Sequence, residues 1–377
     1  MPQGGEAYVM NSVAEHVSKN WVDTAPRLAP ARSEEIVTLN PLTYSSWDSQ
    51  VAAHSGCTFF HSSAWVRVLR ETYGHRPFYF CRLVDGRLKA ILPVMEVSSL
   101  WTGRRGVSLP FTDACPSLGT EGGDHACLHD QAIKLGRERN WRYLECKSNR
   151  RDWPGSSPAI AFYGHVVPLE RRLPAIFDGF QSATQRNIRR AEAARLKITF
   201  STCHASLCTF YALHNLTRRR HGLPPQGFGF FENIRRHVLA LGQGFIVTAQ
   251  LGDVPVAAAI FFHQGRQAIF KFGASNYALQ NLRANNLVIW EAIKRYASEG
   301  FTHLHLGRTS LCNQGLRRFK RGFGAREERI ENCRYDLEKH AFAPENQPAK
   351  ETSSYLFRCL PLPLLRLAGR MLYPHLS

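Results

Sequence analysis

Acid is what this chain has least of. Thirty Asp and Glu stand against 48 Lys and Arg in 377 residues, a formal charge of +18. A field of that sign draws in phosphates, anionic lipids and nucleic acid, although a solvated basic surface with no dedicated ligand satisfies the same count. Cysteine is present but never closely paired. The ten residues form no C-x-x-C and no Cys/His cluster at zinc-finger spacing, which sets aside small zinc modules and thioredoxin-type redox chemistry. Free, mostly buried thiols in a reducing cytosol are the economical reading. No apolar run attains the ~18–20 residues that a membrane-spanning helix requires. The first twenty residues lack the basic-then-apolar order of a signal peptide, so a cytoplasmic protein is expected. G-x-S-x-G, Walker A and H-E-x-x-H are all missing, and the histidines do not cluster at ligand spacing. No metal is expected.

What is there suffices for two cores: 44% of residues are hydrophobic and 11% aromatic, and the length exceeds that of one ordinary domain. Residues 1–34 mix Gly, Pro, Ala and charge without a period and read as a flexible arm. A strand follows over 35–39, then a short helix over 45–53. A second helix opens with Ser62 as its cap. Strands 78–84 and 88–94 form a hairpin around Asp85-Gly86, the strongest short-range hairpin signal. Residues 102–123 read as an irregular Gly/Pro-rich loop, long enough to line a site, with Asp113 and Cys115 as its polar pair. A helix over 125–140 and a strand over 143–146 complete a mixed α/β order.

The plan recurs from about residue 170. One long helical stretch (171–196) leads into a strand (197–200), and helices follow over 205–220 and 230–241. A hairpin (244–250 and 254–263), a strand (267–273), a helix (285–298) and a strand (302–306) close the pass. The recurrence predicts a duplicated α/β (mixed α+β) fold, each unit a mixed sheet flanked by helices. The units are expected at 35–168 and 169–340, followed by a linker and amphipathic tail over 341–377.

The chemistry concentrates in 305–329, HLGRTSLCNQGLRRFKRGFGAREER. Gly307 lets the chain turn after a strand. In open α/β sheets ligands sit beyond the carboxyl ends of strands, so Arg308 is placed to grip a phosphate or carboxylate and Thr309 to donate a hydroxyl. On a helix, Phe319 would point inward and Lys320 into a groove. Arg186, Arg189 and Arg190 share one helical face and suit a polyanion, or simply solvent. Arg283 and Asn285 fall in a strand-to-helix connection (275–286) that lacks the Gly-rich pattern with which backbone amides cradle a pyrophosphate. Ordinary acetyl-CoA use is thereby disfavoured, and the two side chains are candidates for acceptor binding. The tail from Ser354 is apolar with Arg358, Arg366 and Arg370 interspersed. It suits an anionic membrane interface, or packing onto the first unit.

GRTS, then N-x-G-L, then RFKRGFGA together resemble the C-terminal signature of Fem-type aminoacyltransferases and their exopolysaccharide-associated relatives among the GNAT-fold acetyltransferases. FHSSAWVRVLRETYGHRPFYF, SLPFTDACPSLG, TQRNIRRAEAARLKITF and KFGASNYALQNLRANNLVIWEAIKRYASEGFTHLHLG agree in order, so the resemblance spans roughly 55–335. It implies two tandem GNAT-like domains and transfer of an acyl or aminoacyl group to an amine or hydroxyl of a cell-wall or exopolysaccharide precursor. It also implies no tightly bound cofactor. Aminoacyl-tRNA or acyl-CoA would be the donor co-substrate, and a nucleotide- or lipid-linked glycan precursor the acceptor, with peripheral contact at the inner membrane. Lys320 inherits the place of the signature lysine at the donor–acceptor site, with Arg308 beside it; Lys271 joins the substrate-binding candidates with Asp113. Relatives carry an acidic residue where this chain has His305, whose neutral imidazole can still take a proton. An acyl-carrier-dependent transferase and a non-catalytic basic RNA- or membrane-binding module are the rival readings.

Overall fold

Continuous apolar runs such as 256–262 and 90–95 can be buried on both faces only inside a covered sheet, and they form its interior. The computed structural model describes residues 33–119, 122–147, 153, 155–344 and 355–376; the arm expected over 1–34 lies almost wholly outside them. The first half runs β1 (Glu34–Leu39), α1 (Trp47–Ala52), α2 (Ser63–Tyr73), β2 (Arg76–Val84), β3 (Arg87–Ser99), β4 (Gly103–Val107), α3 (Gly122–Glu138), β5 (Trp141–Lys147) and β6 (Pro158–Pro168). The second opens with α4 (Leu173–Asp178), α5 (Ser182–Ala193), β7 (Lys197–Ser201), α6 (His204–Arg220), α7 (Phe228–His237), β8 (Gly244–Leu251) and β9 (Val254–Gln264). It continues with β10 (Gln267–Ser275), α8 (Ala284–Ser298), β11 (His303–His305), β12 (Thr309–Ser310), α9 (Gln314–Arg321), β13 (Arg326–Asp336) and β14 (Ala341–Phe342). The tail forms α10 (Tyr355–Cys359) and α11 (Leu362–Leu372).

One mixed sheet unites the halves in the order β1-β2-β3-β4-β5-β13-β6-β11-β10-β9-β8-β7. Each half contributes four antiparallel strands and then one parallel step, β4 to β5 in the first and β10 to β11 in the second. At the centre the halves exchange strands. β6 pairs with β11 of the second half, and β13 returns to pair with β5 of the first. The exchanged strands pair with each other over Arg326–Cys333 and Val166–Pro158.

Helices α2, α6 and α7 cover one face with a core common to both halves, where Trp65 lies against Phe59, Phe60, Phe230 and Phe262. Helices α5 and α8 cover the other face of the second half, and α3 that of the first. Truncating a side chain as enclosed as Trp65 costs about 3–5 kcal/mol, so the shared core locks the halves together.

Three expectations need correction. The helix expected over 171–196 is two helices, α4 and α5. The chain leaves the helix at Gly179 to seat Phe180 among Phe177, Trp290 and Phe323, and the Gln181 amide donates to the Gly322 carbonyl at 2.9 Å. The loop expected over 102–123 contains β4. Its Gly-Arg-Arg-Gly-Val sequence carries no strand signature, yet its neighbours impose one, and the Trp141 ring leaves no room for a Cβ at Gly106. Finally, the exchanged strands β6 and β13 were not foreseen as strands at all.

Candidate functional site

The second parallel step is short. β10 and β11 pair only from Gln267/His303 to Ile269/His305. β10 then bulges between Phe270 and Phe272, while β11 ends and the chain turns at Gly307 with φ +74°. The strands part there, and the segment 306–321 wraps the opening. Lys320 of α9 is buried, and its Nζ donates to the carbonyls of Gly307 (3.0 Å) and Arg308 (2.9 Å). Phe319, its neighbour, packs on Phe323 and the core. The inward Phe and site-facing Lys thus match the expected helix, although Lys320 is enclosed rather than set in an open groove.

Asp113 reaches this opening from the other half. Its carboxylate accepts from Lys271 Nζ at 3.1 Å and faces the Arg308 amide at 3.5 Å. The loop that delivers it holds Leu109 and Phe111 at positive φ, conformations that cost of order 1–3 kcal/mol each and persist only where the surroundings impose them. Arg308 lies over the Phe162 ring, 4.3 Å from its centroid, and its Nη1 is buried without a hydrogen-bond partner. Among the described residues, Lys271, Arg308 and Lys320 thus interact with the one carboxylate of Asp113, and Lys147 lies within reach of Arg308, Lys271 and Glu145.

The electrostatics follow from burial. Desolvation raises the Asp113 carboxyl, but the charges of Lys271, Arg308 and His305 outweigh it and hold the group well below the usual carboxylate range. Burial, together with the charge of Arg308, pushes Lys147 down to about 7. Burial pushes Lys320 down to about 8, against the pull of Asp113. Lys271 is lowered by burial too, with Asp113 opposing.

Two cavities flank the cluster. One, of about 290 Å³, is lined by Phe60, Asp113, Lys147, His303, His305 and Glu328. The other, of about 240 Å³, lies at the start of α8 between the parted strands and is lined by Phe270, Ser275, Asn285, Leu306, Phe319 and Lys320. The cluster has a member in each: Asp113 lines the first, Lys320 the second, and the charge of Asp113 acts on Lys320.

His305 accepts the Gly307 N–H on Nδ1 at 2.9 Å and turns Nε2 to Glu328 at 3.2 Å. With both nitrogens engaged, it braces the turn that carries Arg308. Thr309 is a correction: its hydroxyl is buried on His165 Nε2 at 3.0 Å and lines neither cavity, because β12 pairs with β6 and turns that side chain inward. Asn285 stands at the mouth of the second cavity, donating to Ser275 Oγ at 3.2 Å. Arg186, Arg190 and Arg283 are exposed and line neither cavity. Arg283 caps α8 in the left-handed conformation.

Residues 180–321 match the family model of the acetyltransferase (GNAT) domain. Over that span the chain carries a GNAT-type acetyltransferase domain. The matched span holds the parted strands, α8 and Lys320, while Asp113 and Lys147 lie outside it. No curated protein matches the sequence. Among solved structures, FemX superposes with a TM-score of 0.64 at 12% identity over 81% of this chain and 98% of that one. A tandem GNAT protein from the clavulanic acid biosynthesis pathway gives 0.51 at 12%, covering 83% and 100%. L-PGS from Bacillus licheniformis gives 0.52 at 12%, covering 88% and 97%. At such identities the likeness is one of fold: two GNAT-like halves in tandem.

Sequence reasoning missed Lys147, Glu328 and His165. The first ends β5, one residue past the expected strand, at the carboxyl end where ligands sit in α/β sheets; that position was the available signal. The other two lie on the exchanged strands and had none.

Proposed function

We propose that the protein transfers an activated acyl or aminoacyl group to an amine or hydroxyl of a cell-wall or exopolysaccharide precursor, at the crevice between β10 and β11. The single observation that carries the reading is the buried charged cluster at the parted strands, with Asp113 lining one cavity and Lys320 the other. The units would be residues 35–168 and 169–340, with Asp113 and Lys147 lent by the first to the second.

In this reading the donor, an acyl-CoA or an aminoacyl-tRNA, lays its acyl arm in the cavity beside α8. Its anionic remainder faces the helix N-terminus, which favours negative charge. Asn285 stands at that mouth and Arg283 caps the same helix, and the exposed Arg186 and Arg190 would meet a large polyanionic donor outside it. A nucleotide- or lipid-linked glycan precursor enters the opposite cavity. Its amine or hydroxyl attacks the donor carbonyl carbon and passes its proton to Lys147, whose depressed pKa supplies a neutral amine near neutral pH. The oxyanion that forms meets Lys320 and Arg308; a preorganised donor of this kind lowers a barrier by about 2.7–4 kcal/mol. Collapse expels the thiolate of CoA or the ribose oxygen of tRNA, which takes up a proton.

The test is product formation from radiolabelled aminoacyl-tRNA against radiolabelled acyl-CoA, each with nucleotide- and lipid-linked glycan precursors. Transfer lost in Lys320→Met with unchanged circular dichroism supports the site; undiminished turnover removes it. Salt-dependent RNA binding with no product from any donor, acyl-carrier thioesters included, would instead favour a non-catalytic basic module.

A further inference from the structure

Apolar surface is not spread evenly over the molecule. Of the fourteen exposed large hydrophobic residues among those described, eight belong either to the C-terminal segment or to the β3–β4 turn. Leu100 of that turn is 97% exposed and Trp101 59%. The Trp101 ring lies 4.3 Å from that of His375, and the buried Arg105 donates to the His375 carbonyl at 2.7 Å, so turn and tail flank one another. Exposed apolar residues clustered in this way mark a contact surface.

The orientation of α11 is fixed from beneath. Leu365 is fully buried, and Gly369 sits so close to the Pro225 carbonyl that no Cβ fits there. Just beyond, the Tyr373 hydroxyl accepts from Arg218 at 2.8 Å and donates to the Pro224 carbonyl at 3.2 Å. Pinned this way, the helix turns Leu364, Leu367 and Met371, spaced i, i+3 and i+7, to solvent on the side away from the body. Each is more than half exposed.

Charge decides the occupant. The β3–β4 turn with β4 (98–107), α6, the 221–227 connection beneath α11 and the tail over 355–376 contain no Asp or Glu. They carry eight arginines, of which Arg104, Arg220, Arg358, Arg366 and Arg370 are exposed. An apolar stripe with an indole at its edge and basic flanks without acid is the composition that seats a helix in the headgroup layer of an anionic bilayer. No described helix is long and apolar enough to cross a membrane.

We infer that α11 and the Leu100–Trp101 turn form a docking surface for an anionic lipid bilayer, with the apolar stripe in the headgroup layer and the arginines against lipid phosphate. The inference does not rest on the proposed transfer reaction. Because α6 lies beneath the tail and also lines the cavity beside α8, docking would hold that cavity close to the membrane.

The test is co-sedimentation of the full chain with phosphatidylcholine vesicles, with and without phosphatidylglycerol. Expected is capture by the phosphatidylglycerol vesicles, weakened by salt, and more than about tenfold weaker in the triple variant Leu364→Glu, Leu367→Glu, Met371→Glu. The stripe is exposed, so thermal unfolding of that variant should match the parent. A second variant, Arg366→Ser with Arg370→Ser, should lose the preference for phosphatidylglycerol while keeping the stripe. Absence of capture at low salt, or equal capture of the triple variant, overturns the inference. A concentration-dependent dimer that the triple variant dissolves, with no vesicle capture, also overturns it and names a second copy as occupant. Transfer between soluble substrates should be unaffected by either variant, which keeps this outcome separate from that of the proposed reaction.

Discussion

The two parallel steps of the sheet share a topology and differ in what fills them. Between β4 and β5 the gap is sewn shut. The Ser108 hydroxyl donates to the Cys115 carbonyl at 3.0 Å and accepts from the Lys147 amide at 3.2 Å, while the Cys115 amide donates to the Lys147 carbonyl at 3.0 Å. Between β10 and β11 the corresponding space stays open and is ringed by charge. The loop that seals the first crevice is the loop that carries Asp113 into the second. The cavity beside Asp113 is therefore lined from both halves.

The comparison is best attacked at its strongest point. Lys320→Met should reduce turnover by about 10²–10³-fold with the far-ultraviolet spectrum intact, whereas Gly106→Val in the sealed half should cost stability. The Trp141 ring occupies the space that a side chain there would need, so about 1–3 kcal/mol should be lost in chemical denaturation, with near-normal specific activity of the folded fraction. Equal damage to turnover from both would erase the distinction between the halves.

Next in size is Asp113→Asn, which strips Lys271 of its buried partner. Breaking such a pair costs about 3–5 kcal/mol, read in a urea melt. The parent's pH dependence has a definite sign. The Asp113 carboxyl is held low in the folded protein, so its stabilisation is complete above the unfolded value of about 4 and is lost as pH falls further; the Asn variant should lack that acid-side slope.

The reaction's own pH profile sharpens the division of labour. If Lys147 acts neutral and Lys320 acts charged, kcat/KM should rise through about 7 and fall through about 8, as apparent values of a coupled cluster. Asp113 raises Lys320, so Asp113→Asn should move the alkaline limb to lower pH. A flat profile from pH 6 to 9 would remove both roles.

The last expectation concerns Lys147 and is read first in stability. Lys147 is lowered by burial to about 7, against about 10.4 in an unfolded chain. Between those values the unfolded state binds more protons, so the parent should gain stability as pH rises from about 7 to about 10, and gain none from this group below that window. Lys147→Met should abolish the slope in melts taken across it, and should weaken transfer as well if the sealed half supplies the base.

Much of this was legible in one dimension. The Asp85-Gly86 hairpin, the duplicated order of elements and the turn at Gly307 came from local rules, because turn residues and apolar periods act over a few neighbours. Lys320, Arg308, Lys271 and Asp113 were singled out and do converge. Thr309 was misread: which way a two-residue strand turns its side chains depends on its partner, here β6. The exchanged strands escaped notice for a related reason. β13, with the sequence REERIENCRYD, carries charge at alternating and consecutive positions, since Glu327 pairs with Arg317 and Glu328 with His305 beside the crevice. Its strand state is imposed by β5 and β6 on either side.

The order of residues by itself determined that the chain would build two similar α/β units with a basic, glycine-hinged segment after the last parallel strand. Periodicity, turn chemistry and charge are properties of short windows, and each window carries its own signal. Only the folded molecule decided that Asp113 and Lys147 line a cavity with residues of the opposite half, that one crevice is closed and that two strands change places. The placement of Asp113 and the strand exchange depend on pairings between residues more than a hundred positions apart, where the free energy comes from burial and register rather than from anything a neighbour in the chain can specify.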